Sequence, residues 1–286
     1  MTKVLVTGGA GYIGSHTTRQ LLDAGYAVVV LDNLYSGHRW AVDERASFVE
    51  GNAGSQEVVD QVFAEHDVSA IVHFAGHIVV PESVADPLKY YQNNCEVTQT
   101  LANLAEKAGI QHFIFSSSAA VYGNPERVPV IESDATQPIS PYGRTKLISE
   151  WMLQDLAVAK PDFRYVALRY FNVAGAAFDG RLGQATPEAT HLIKIASELV
   201  TQKRDKMAIF GVDYPTADGT CVRDYIHVED LAAAHVAALT YLEQGGASDV
   251  FNCGYSAGFS VKEVLAEMQK LSDEPLFIEE LSLIHI

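Results

Sequence analysis

The chain has 286 residues, 48% of them hydrophobic, which is enough for one large α/β domain with a smaller lobe or for two domains of modest size. Its 36 acidic residues outnumber its 20 basic residues, so the formal net charge is -16. Such a surface repels nucleic acids and anionic lipids, and we predict binding to neither, although a few local cations can still hold a phosphorylated small molecule.

The three cysteines, Cys95, Cys221 and Cys253, are far apart in the chain, odd in number and without the spacing of a metal cluster. We interpret them as free thiols in a reducing compartment. No apolar run is long enough to cross a bilayer, and an apolar strand follows the first three residues directly. The sequence therefore predicts a cytoplasmic protein with no metal site.

Short apolar runs alternate with longer helical patterns up to Leu168. Continuously apolar runs are typical of strands that are covered on both faces, and we predict strands at 4–6, 27–31, 48–49, 70–74, 113–115 and 165–168. Helical patterns fall between them, at 12–24, 56–66, 87–107 and 142–159. This alternation implies right-handed crossovers and predicts a Rossmann-type, doubly wound parallel α/β sheet.

After Leu168 the loops lengthen and turn residues cluster. We predict helices at 189–202, 228–242 and 261–271, separated by short extended pieces. The predicted organisation is a Rossmann domain at 1–168 and a smaller C-terminal lobe at 169–286, which lies over the carboxyl edge of the sheet and holds the substrate.

Glycines 8, 11 and 14 follow the first predicted strand and open the first predicted helix, with the spacing G-x-x-G-x-x-G. Gly8 permits the tight turn, Gly11 lets a pyrophosphate approach the backbone, and Gly14 lets the helix pack on the sheet. Tyr12 and Ile13 fill the remaining positions at the helix start. A strand before the glycines and a helix after them indicate a dinucleotide-binding loop.

The second predicted strand ends at Asp32 and Asn33, where a ribose-binding acid is expected. A carboxylate there accepts from the ribose 2′-OH and repels a 2′-phosphate, which favours NAD over NADP. The fourth strand ends in Phe74, Ala75 and Gly76, and the small residues leave room for a cofactor, although they are also common in turns.

Tyr142 and Lys146 lie four positions apart in a predicted helix and so share one face. Lowering the pKa of a tyrosine from ~10 to about 7 takes ~4 kcal/mol of preference for the phenolate, and a nearby ammonium and a positive nicotinamide ring supply much of it. An exposed helical pair is the ordinary alternative. Ser116, Ser117 and Ser118, at the end of the fifth strand, favour a catalytic group, because their hydroxyls face the crevice where ligands of such sheets bind.

Long stretches carry a family resemblance: 8–17 (GGAGYIGSHT), 31–34 (LDNL), 82–84 (ESV), 90–94 (YYQNN), 115–118 (FSSS), 122–123 (YG), 141–143 (PYG), 168–172 (LRYFN) and 222–228 (VRDYIHV). From residue 4 to about residue 279 the chain resembles the UDP-glucose 4-epimerases, which are extended short-chain dehydrogenases/reductases. The resemblance implies an NAD-dependent isomerase that interconverts UDP-glucose and UDP-galactose and works as a homodimer.

The resemblance also implies how the residues act. Tyr142 removes the proton of the sugar 4-hydroxyl while C4 gives a hydride to tightly held NAD. Ser118 hydrogen-bonds the same oxygen, and Lys146 binds the nicotinamide ribose and lowers the pKa of Tyr142. The 4-keto sugar then rotates and takes the hydride back on its other face.

Two sets of binding residues follow from the resemblance, together with a dimer formed by the helices at 87–107 and 142–159. The cofactor set is Gly8, Gly11, Tyr12, Ile13, Gly14, Asp32, Asn33, Asn52, Phe74, Ala75, Gly76, Asn94, Ser116, Tyr142, Lys146 and Tyr170. The substrate set is Ser118, Tyr142, Asn172, His191, Leu192, Ala208, Phe210 and Arg223, with Arg223 on the diphosphate and Phe210 against the uracil.

The sequence departs from the family pattern at several positions. Asn52 stands where the family usually has an aspartate that meets the adenine amino group, and its amide oxygen can still accept. Ile78 replaces a cofactor-contacting lysine, and His191 replaces an asparagine and is a weak substrate candidate. Family members continue beyond the equivalent of Glu280 with a substrate-closing Arg-x-Gly-Asp stretch, whereas residues 281–286 match nothing, so we expect a truncated or frame-shifted end.

Three alternatives stay open or are disfavoured. A nucleotide-sugar 4,6-dehydratase needs an acid and a base after the first catalytic hydroxyl, where this chain has Ala119 and Ala120. A 4-epimerase of UDP-uronic acids or of another nucleotide sugar fits nearly as well. A catalytically dead NAD-binding fragment, with the substrate-closing tail missing, is the non-enzyme reading.

Overall fold

A seven-stranded parallel sheet forms the centre of the computed structural model, which describes residues 2–187 and 189–281. Its order is β10-β6-β5-β4-β1-β2-β3, and every neighbouring pair is parallel. The strands of the molecule are β1 Lys3–Thr7, β2 Ala27–Asp32, β3 Ser47–Glu50, β4 Ala70–His73, β5 His112–Ser116, β6 Arg164–Tyr170, β7 Asn172–Ala174, β8 Met207–Phe210, β9 Val222–His227, β10 Asp249–Cys253, β11 Gly258–Ser260 and β12 Ile278–Leu281.

Helices cover both faces of this sheet, so the predicted doubly wound, Rossmann-type α/β fold is confirmed. They are α1 Tyr12–Asp23, α2 Gln56–Glu65, α3 Val80–Ala85, α4 Pro87–Tyr90, α5 Val97–Lys107, α6 Pro141–Ala159, α7 Leu192–Val200, α8 Val228–Glu243 and α9 Val261–Gln269. A π-helical segment, Tyr91–Glu96, joins α4 to α5. The helix predicted at 87–107 is therefore continuous but contains a wider stretch.

Two apolar cores, one on each face of the sheet, explain why the strand sequences are continuously apolar. Leu5 packs into the core beneath α2, α5 and α6, while its neighbours Val4 and Val6 pack into the core beneath α1 and α8. All three side chains are fully buried. Alternate residues of a strand point to opposite faces, so a strand covered on both sides has to be apolar throughout.

The smaller lobe is built from two small sheets and a third core. Strands β11, β9 and β7 form one sheet, β12 and β8 form the other, and the core contains Ala196, Leu199, Met207, Ile209 and Leu265. Strand β10 and helix α8 also follow Leu168 in the chain, but β10 pairs with β6 and α8 contributes to the core beneath α1. A strict division of the chain after Leu168 therefore does not hold.

The ends of the predicted elements differ from the structure mainly in this second half. The helix predicted at 189–202 spans Leu192–Val200, and the one predicted at 261–271 spans Val261–Gln269. Among the described residues, no helix combines the length and the apolar character that a membrane crossing requires. Residues 282–286, most of the end segment that matches no family pattern, lie outside the described residues.

Candidate active site

The start of α1 forms the candidate pyrophosphate site. Gly8 has a φ of 72°, and its carbonyl oxygen accepts from Gly11 N at 3.1 Å, which closes a tight turn after β1. A Cβ at Gly14 would lie 2.2 Å from Gly8 O, so a larger residue does not fit there. Gly11 begins the helix without a side-chain cap, and the first turn contains no acidic residue. The N–H groups at this end therefore favour an anion.

The predicted ribose-binding acid is held beside this turn. Asp32 is buried; its Oδ2 accepts from Ala10 N at 2.9 Å and its Oδ1 accepts from Leu34 N at 2.8 Å. Each carboxylate oxygen has a further lone pair for a ribose hydroxyl. Asn33 is exposed, and its Oδ1 accepts from Tyr35 N at 3.0 Å. Both residues thus lie at the carboxyl end of β2, as predicted from their place in the sequence.

Three further cofactor candidates have structural contacts of their own. Asn52 Oδ1 accepts from Gly54 N at 2.8 Å, so the oxygen that we expect to meet the adenine amino group also closes a turn. Tyr12 OH donates to Gly175 O at 2.7 Å. Tyr12 and Ile13 both pack against an apolar cluster of the lobe around β7 and β9. The helix start therefore contacts the second half of the chain.

Residues 74–76 lie directly against the dinucleotide loop. A Cβ at Gly8 would lie 2.7 Å from Ala75 N, and one at Gly76 would lie 3.0 Å from Asn94 Oδ1. Asn94 belongs to the π-helical segment; its Oδ1 accepts from His77 N at 2.8 Å, and its Nδ2 donates to Thr145 Oγ1 at 3.0 Å. The π segment therefore connects the loop after β4 to helix α6, beside the predicted catalytic residues.

The structure brings the predicted catalytic residues together at the end of β5. Tyr142 and Lys146 lie on the buried face of α6, and the side chain of Ser118, whose Oγ accepts from Ala120 N at 3.1 Å, lies close enough to Tyr142 to lower its pKa. Lys146 Nζ donates to Ser116 O at 2.8 Å. Ser116 Oγ is in turn hydrogen-bonded to Tyr170 OH, so two of the predicted cofactor residues meet at the same place.

Burial dominates the electrostatics of this group. It raises the pKa of Tyr142, and the nearby side chain of Ser118 opposes that effect. Burial also lowers the pKa of Lys146 to about 8, against the raising effects of Cys95 and Glu150. The hydrogen bond of the Lys146 ammonium goes to Ser116 O and not to Tyr142. That Lys146 lowers the pKa of Tyr142 therefore stays a prediction.

The predicted substrate residues come from separate parts of the lobe. Asn172 on β7 donates from Nδ2 to Asp224 O at 3.2 Å, and Arg223 lies exposed on β9, which pairs with β7. The remaining candidates are His191, immediately before α7, Leu192, its first residue, and Ala208 and Phe210, both on β8. Burial lowers the pKa of His191, which favours its neutral form. The structure thus places Asn172 and Arg223 on two paired strands. The other four candidates lie outside that strand pair, at the start of α7 and on β8.

A segment of the second half, residues 175–187, crosses to the dinucleotide loop, and we call it the strap. Asp179 of the strap forms an ion pair with Arg19 of α1, in which Arg19 Nη1 lies 3.1 Å from Asp179 Oδ1. His38 Nε2 donates to Ala185 O at 2.9 Å. Together with the bond from Tyr12 to Gly175, these contacts join the strap to three places on the cofactor side.

Sequence reasoning missed two residues at this site. Glu150 lies one turn beyond Lys146 on α6, is buried, and contacts Ser117 and Arg169. A signal was present in the sequence, because Tyr142, Lys146 and Glu150 recur every four positions and so share one helix face. For Arg169 there was no such spacing signal in the sequence; the residue only lies in one of the stretches that carry the family resemblance, 168–172.

Comparison with known proteins defines the class. The model of the NAD dependent epimerase/dehydratase family matches residues 4–254, and the chain belongs to this family. Within the family the chain is similar to UDP-glucose 4-epimerases. The one from Azospirillum brasilense is 54% identical over 272 residues, which make up 95% of this chain and 78% of that protein.

Solved structures agree with this assignment. The UDP-glucose 4-epimerase of Brucella ovis in complex with NAD superposes with a TM-score of 0.95 at 46% identity, covering 99% of this chain and 86% of that one. The enzyme of Bifidobacterium longum in complex with NAD+ and UDP gives a TM-score of 0.92 at 37% identity, covering 98% and 86% of the two chains.

Proposed function

We propose that this chain is an isomerase that interconverts UDP-glucose and UDP-galactose with NAD as its cofactor. The observation that carries the proposal is the buried group of Ser118, Tyr142 and Lys146, which lies at the carboxyl edge of the same sheet as the glycine turn before α1. Its relatives at 54% and 46% identity are UDP-glucose 4-epimerases, and the Brucella ovis enzyme is in complex with NAD.

The residues present fit a dinucleotide. The uncapped start of α1 suits the pyrophosphate, and the close approach of backbone at Gly8 and Gly14 shapes that turn. Asp32 and Asn33 would hold the adenosine ribose and Asn52 the adenine. The residues that would surround the nicotinamide half are Phe74, Ala75, Gly76, Asn94, Ser116, Tyr142, Lys146 and Tyr170. When bound, NAD accepts a hydride from C4 of the sugar and gives it back.

Tyr142 would move the proton that accompanies this transfer. Its hydroxyl lies beside the side chain of Ser118, so both would contact one sugar oxygen, with Ser118 keeping that oxygen in line. Burial raises the pKa of Tyr142, so a positive charge has to oppose this before the phenolate can act as a base near neutral pH. Lys146 provides one such charge. The 4-keto sugar then presents its other face, and Tyr142 returns the proton.

The substrate would be held by the lobe. Arg223 is exposed and presents a planar guanidinium suited to a diphosphate, while Phe210 offers an exposed aromatic face for the uracil. Asn172, His191, Leu192 and Ala208 would complete this site. A fixed uridine diphosphate leaves the hexose free to turn about its phosphate link, as the mechanism requires.

Self-association belongs to the proposal as well. Exposed apolar side chains lie on α3, α4 and α6, which contact one another: Val84, Leu88, Trp151 and Val158. We infer that a second copy covers them in a homodimer. Leu88→Lys should halve the mass measured by light scattering, whereas Leu271→Lys, at another exposed leucine, should leave it unchanged.

The free state of Cys95, Cys221 and Cys253 supports a cytoplasmic location.

Turnover of UDP-galactose without added NAD tests the function. The chain should convert UDP-galactose to UDP-glucose, and Tyr142→Phe should lower the rate by about 10²- to 10⁴-fold. Tyr26→Phe is the matched control, because Tyr26 binds Glu243 away from the site. Conversion of UDP-galacturonate in preference to UDP-galactose would favour the uronate epimerase. Bound NAD without turnover of either sugar would identify a binding protein.

A further inference from the structure

A buried ion pair lies directly behind the predicted catalytic residues. Glu150 on α6 is 3% exposed and Arg169 on β6 is 5% exposed. Arg169 Nη2 donates to Glu150 Oε2 at 2.6 Å, and its Nε donates to Glu150 Oε1 at 3.0 Å. Burying two charges is costly even when they are paired, so a pair at this place is an inefficient means of stabilising a sheet.

Glu150 also holds the end of the strand that carries the catalytic serine. Ser117 Oγ donates to Glu150 Oε1, and Ser117 is itself fully buried. Ser117 lies between Ser116, whose carbonyl accepts from Lys146 Nζ at 2.8 Å, and Ser118. One carboxylate therefore connects the helix that carries Lys146 to the backbone that places Ser118.

Arg169 keeps this carboxylate in place from the other side. Its Nη1 donates to Tyr122 OH at 2.9 Å, and its guanidinium lies 4.9 Å from the centre of the Tyr122 ring. Tyr122 OH in turn donates to Asn252 Oδ1 at 2.7 Å. Contacts from β6, β10 and the turn after β5 thus fix the pair, so Glu150 has little freedom to move with respect to Ser117.

Several titratable or charged side chains lie around Lys146, and Glu150 is one of them. The titratable or charged side chains that face Lys146 or its immediate partners are His73 of β4, Cys95 of the π segment, Tyr142 and Glu150 of α6, and Arg169 and Tyr170 of β6. Burial disfavours the ammonium and lowers the pKa of Lys146 to about 8, while Cys95 and Glu150 oppose this. Glu150 is the carboxylate of this set. The positively charged nicotinamide ring of bound NAD would add a further positive charge beside Lys146.

We propose that Glu150 is a positioning residue for the epimerisation: it acts through Ser117 on the strand end that carries Ser118, and its charge supports the ammonium of Lys146. The kinetic part rests on the proposed function, while the effect on Lys146 is a property of the folded chain. With a neutral side chain at position 150, Lys146 loses the charge that favours its protonated form. Its proton would then leave at a lower pH.

The pH dependence of turnover tests the kinetic part. In Glu150→Gln, the alkaline limb of the kcat/KM profile should move to lower pH by about one unit, because a buried opposite charge one helical turn away shifts a pKa by that order. We expect kcat to fall about tenfold and KM to change little, since Glu150 is 3% exposed and lies behind the catalytic residues. An alkaline limb that stays where the parent has it would overturn the charge effect.

Two companion variants separate the charge from the hydrogen bond and from folding. Ser117→Ala keeps the carboxylate, so kcat should fall while the alkaline limb stays in place; an unchanged kcat would overturn the action through Ser117. The double variant Glu150→Gln with Arg169→Met removes the orphaned guanidinium and so protects the fold. Its alkaline limb should still be displaced, and a return to the parent profile would show that unpaired Arg169 alone had caused the shift.

A titration of Lys146 that needs no turnover completes the test. The ¹⁵N resonance of its Nζ, identified by its loss in Lys146→Arg, should titrate at lower pH in Glu150→Gln and in the double variant than in the parent chain. An unchanged midpoint would sink the inference even if the chain is an active epimerase. A lowered midpoint in a chain that fails to convert UDP-galactose would leave the electrostatic role standing and reject the proposed function.

Discussion

The large sheet and the smaller lobe present their functional candidates in opposite ways. Tyr142 and Lys146, on the sheet side, are 8% and 4% exposed, and Lys146 is already hydrogen-bonded to Ser116 O. Phe210, on the lobe, is 60% exposed, and Arg223 is exposed, with its Nη1 donating to the carbonyl of its neighbour Val222. The chemical groups are thus arranged in advance, whereas the groups proposed for the nucleotide have freedom to adapt to it.

If this contrast is functional, changes in the sheet should affect the cofactor and the rate, and changes in the lobe should affect substrate affinity. Substitutions with a matched control in each region can separate the two effects. The expected effects run from about 100-fold at the dinucleotide turn to severalfold at the strap.

Among the substitutions that separate the two regions, the largest effect is expected at Gly14. A Cβ there would lie 2.2 Å from Gly8 O and 2.9 Å from Gly9 Cα, so backbone has to move in Gly14→Ala. We expect NAD affinity to fall about 100-fold, since overpacking costs ~3 kcal/mol at the upper end. NAD released on denaturation and calorimetric titration measure this. Gly25→Ala, just beyond the far end of α1, is the control, because a Cβ there would meet nothing within 4 Å although the φ of 91° strains the backbone; equal loss in both variants would contradict the prediction.

The second effect should be confined to the lobe. Arg223→Ala should raise the Kd for UDP about 30-fold, since a hydrogen bond to a charged group contributes ~2 kcal/mol. Bound NAD should stay at the parent level. Arg204→Ala, another exposed arginine of the lobe, should leave UDP binding unchanged. Loss of NAD in Arg223→Ala would show that the two regions do not act separately.

The third prediction concerns acid stability, which we assign to the sheet. Burial lowers the pKa of His73 to about 3, with the charge of Lys146 adding to the effect, and burial lowers the pKa of His235 to about 4 despite its bond to Leu231 O. Below the ordinary pKa of ~6.5 the unfolded chain therefore binds more protons than the folded chain. The free energy of unfolding should fall with decreasing pH, from about 6.5 towards 4, by ~1.4 kcal/mol per pH unit for each histidine.

Urea unfolding at a series of pH values measures this slope. His235→Leu should reduce it by about half of the two-histidine contribution. The variant should fold, because it gives up one hydrogen bond, from Nδ1 to Leu231 O within α8, while Nε2 has no partner among the described residues. The same slope in both proteins would assign the acid sensitivity to other groups.

The sheet half was predictable from sequence because its local patterns and its burial agree. Val4, Leu5 and Val6 are apolar on both faces and indeed lie in two cores. The position of Ser116 at a strand end and the spacing of Tyr142 and Lys146 were enough to bring them together, because parallel strands end at one edge.

The lobe was less predictable, because local sequence patterns do not indicate which of its strands pair with one another. Strand β9 has the sequence VRDYIH, and most of its residues are partly or fully exposed. It therefore contains no apolar run from which a strand could be predicted. Strand β10 joins the large sheet through β6, far away in the chain, and no spacing specifies that partner. The π segment at Tyr91–Glu96 contains no glycine or proline that would mark it in the sequence, and its placement of Asn94 depends on contacts with Thr145 and His77.

The smallest effect is expected at the strap, where the two regions meet. The side chains of Arg19 and Asp179 are 19% and 38% exposed, and such pairs contribute ~0.2–1 kcal/mol. If the strap slows the exit of NAD, Asp179→Asn should raise the rate of NAD release up to about fivefold, without changing kcat. Asp43→Asn, which breaks an ion pair with Arg45 away from the strap, is the matched control.

Salt gives the same prediction an independent check. Added salt screens a partly exposed ion pair, so NAD release from the parent should accelerate with ionic strength and approach the rate of Asp179→Asn, which should respond less. A release rate that is the same in the parent and in Asp179→Asn, at low and high salt, would mean that the strap contacts do not limit cofactor exit. Retention would then depend on the sheet alone, and the contrast between a prearranged sheet and an adaptable lobe would extend to the strap itself.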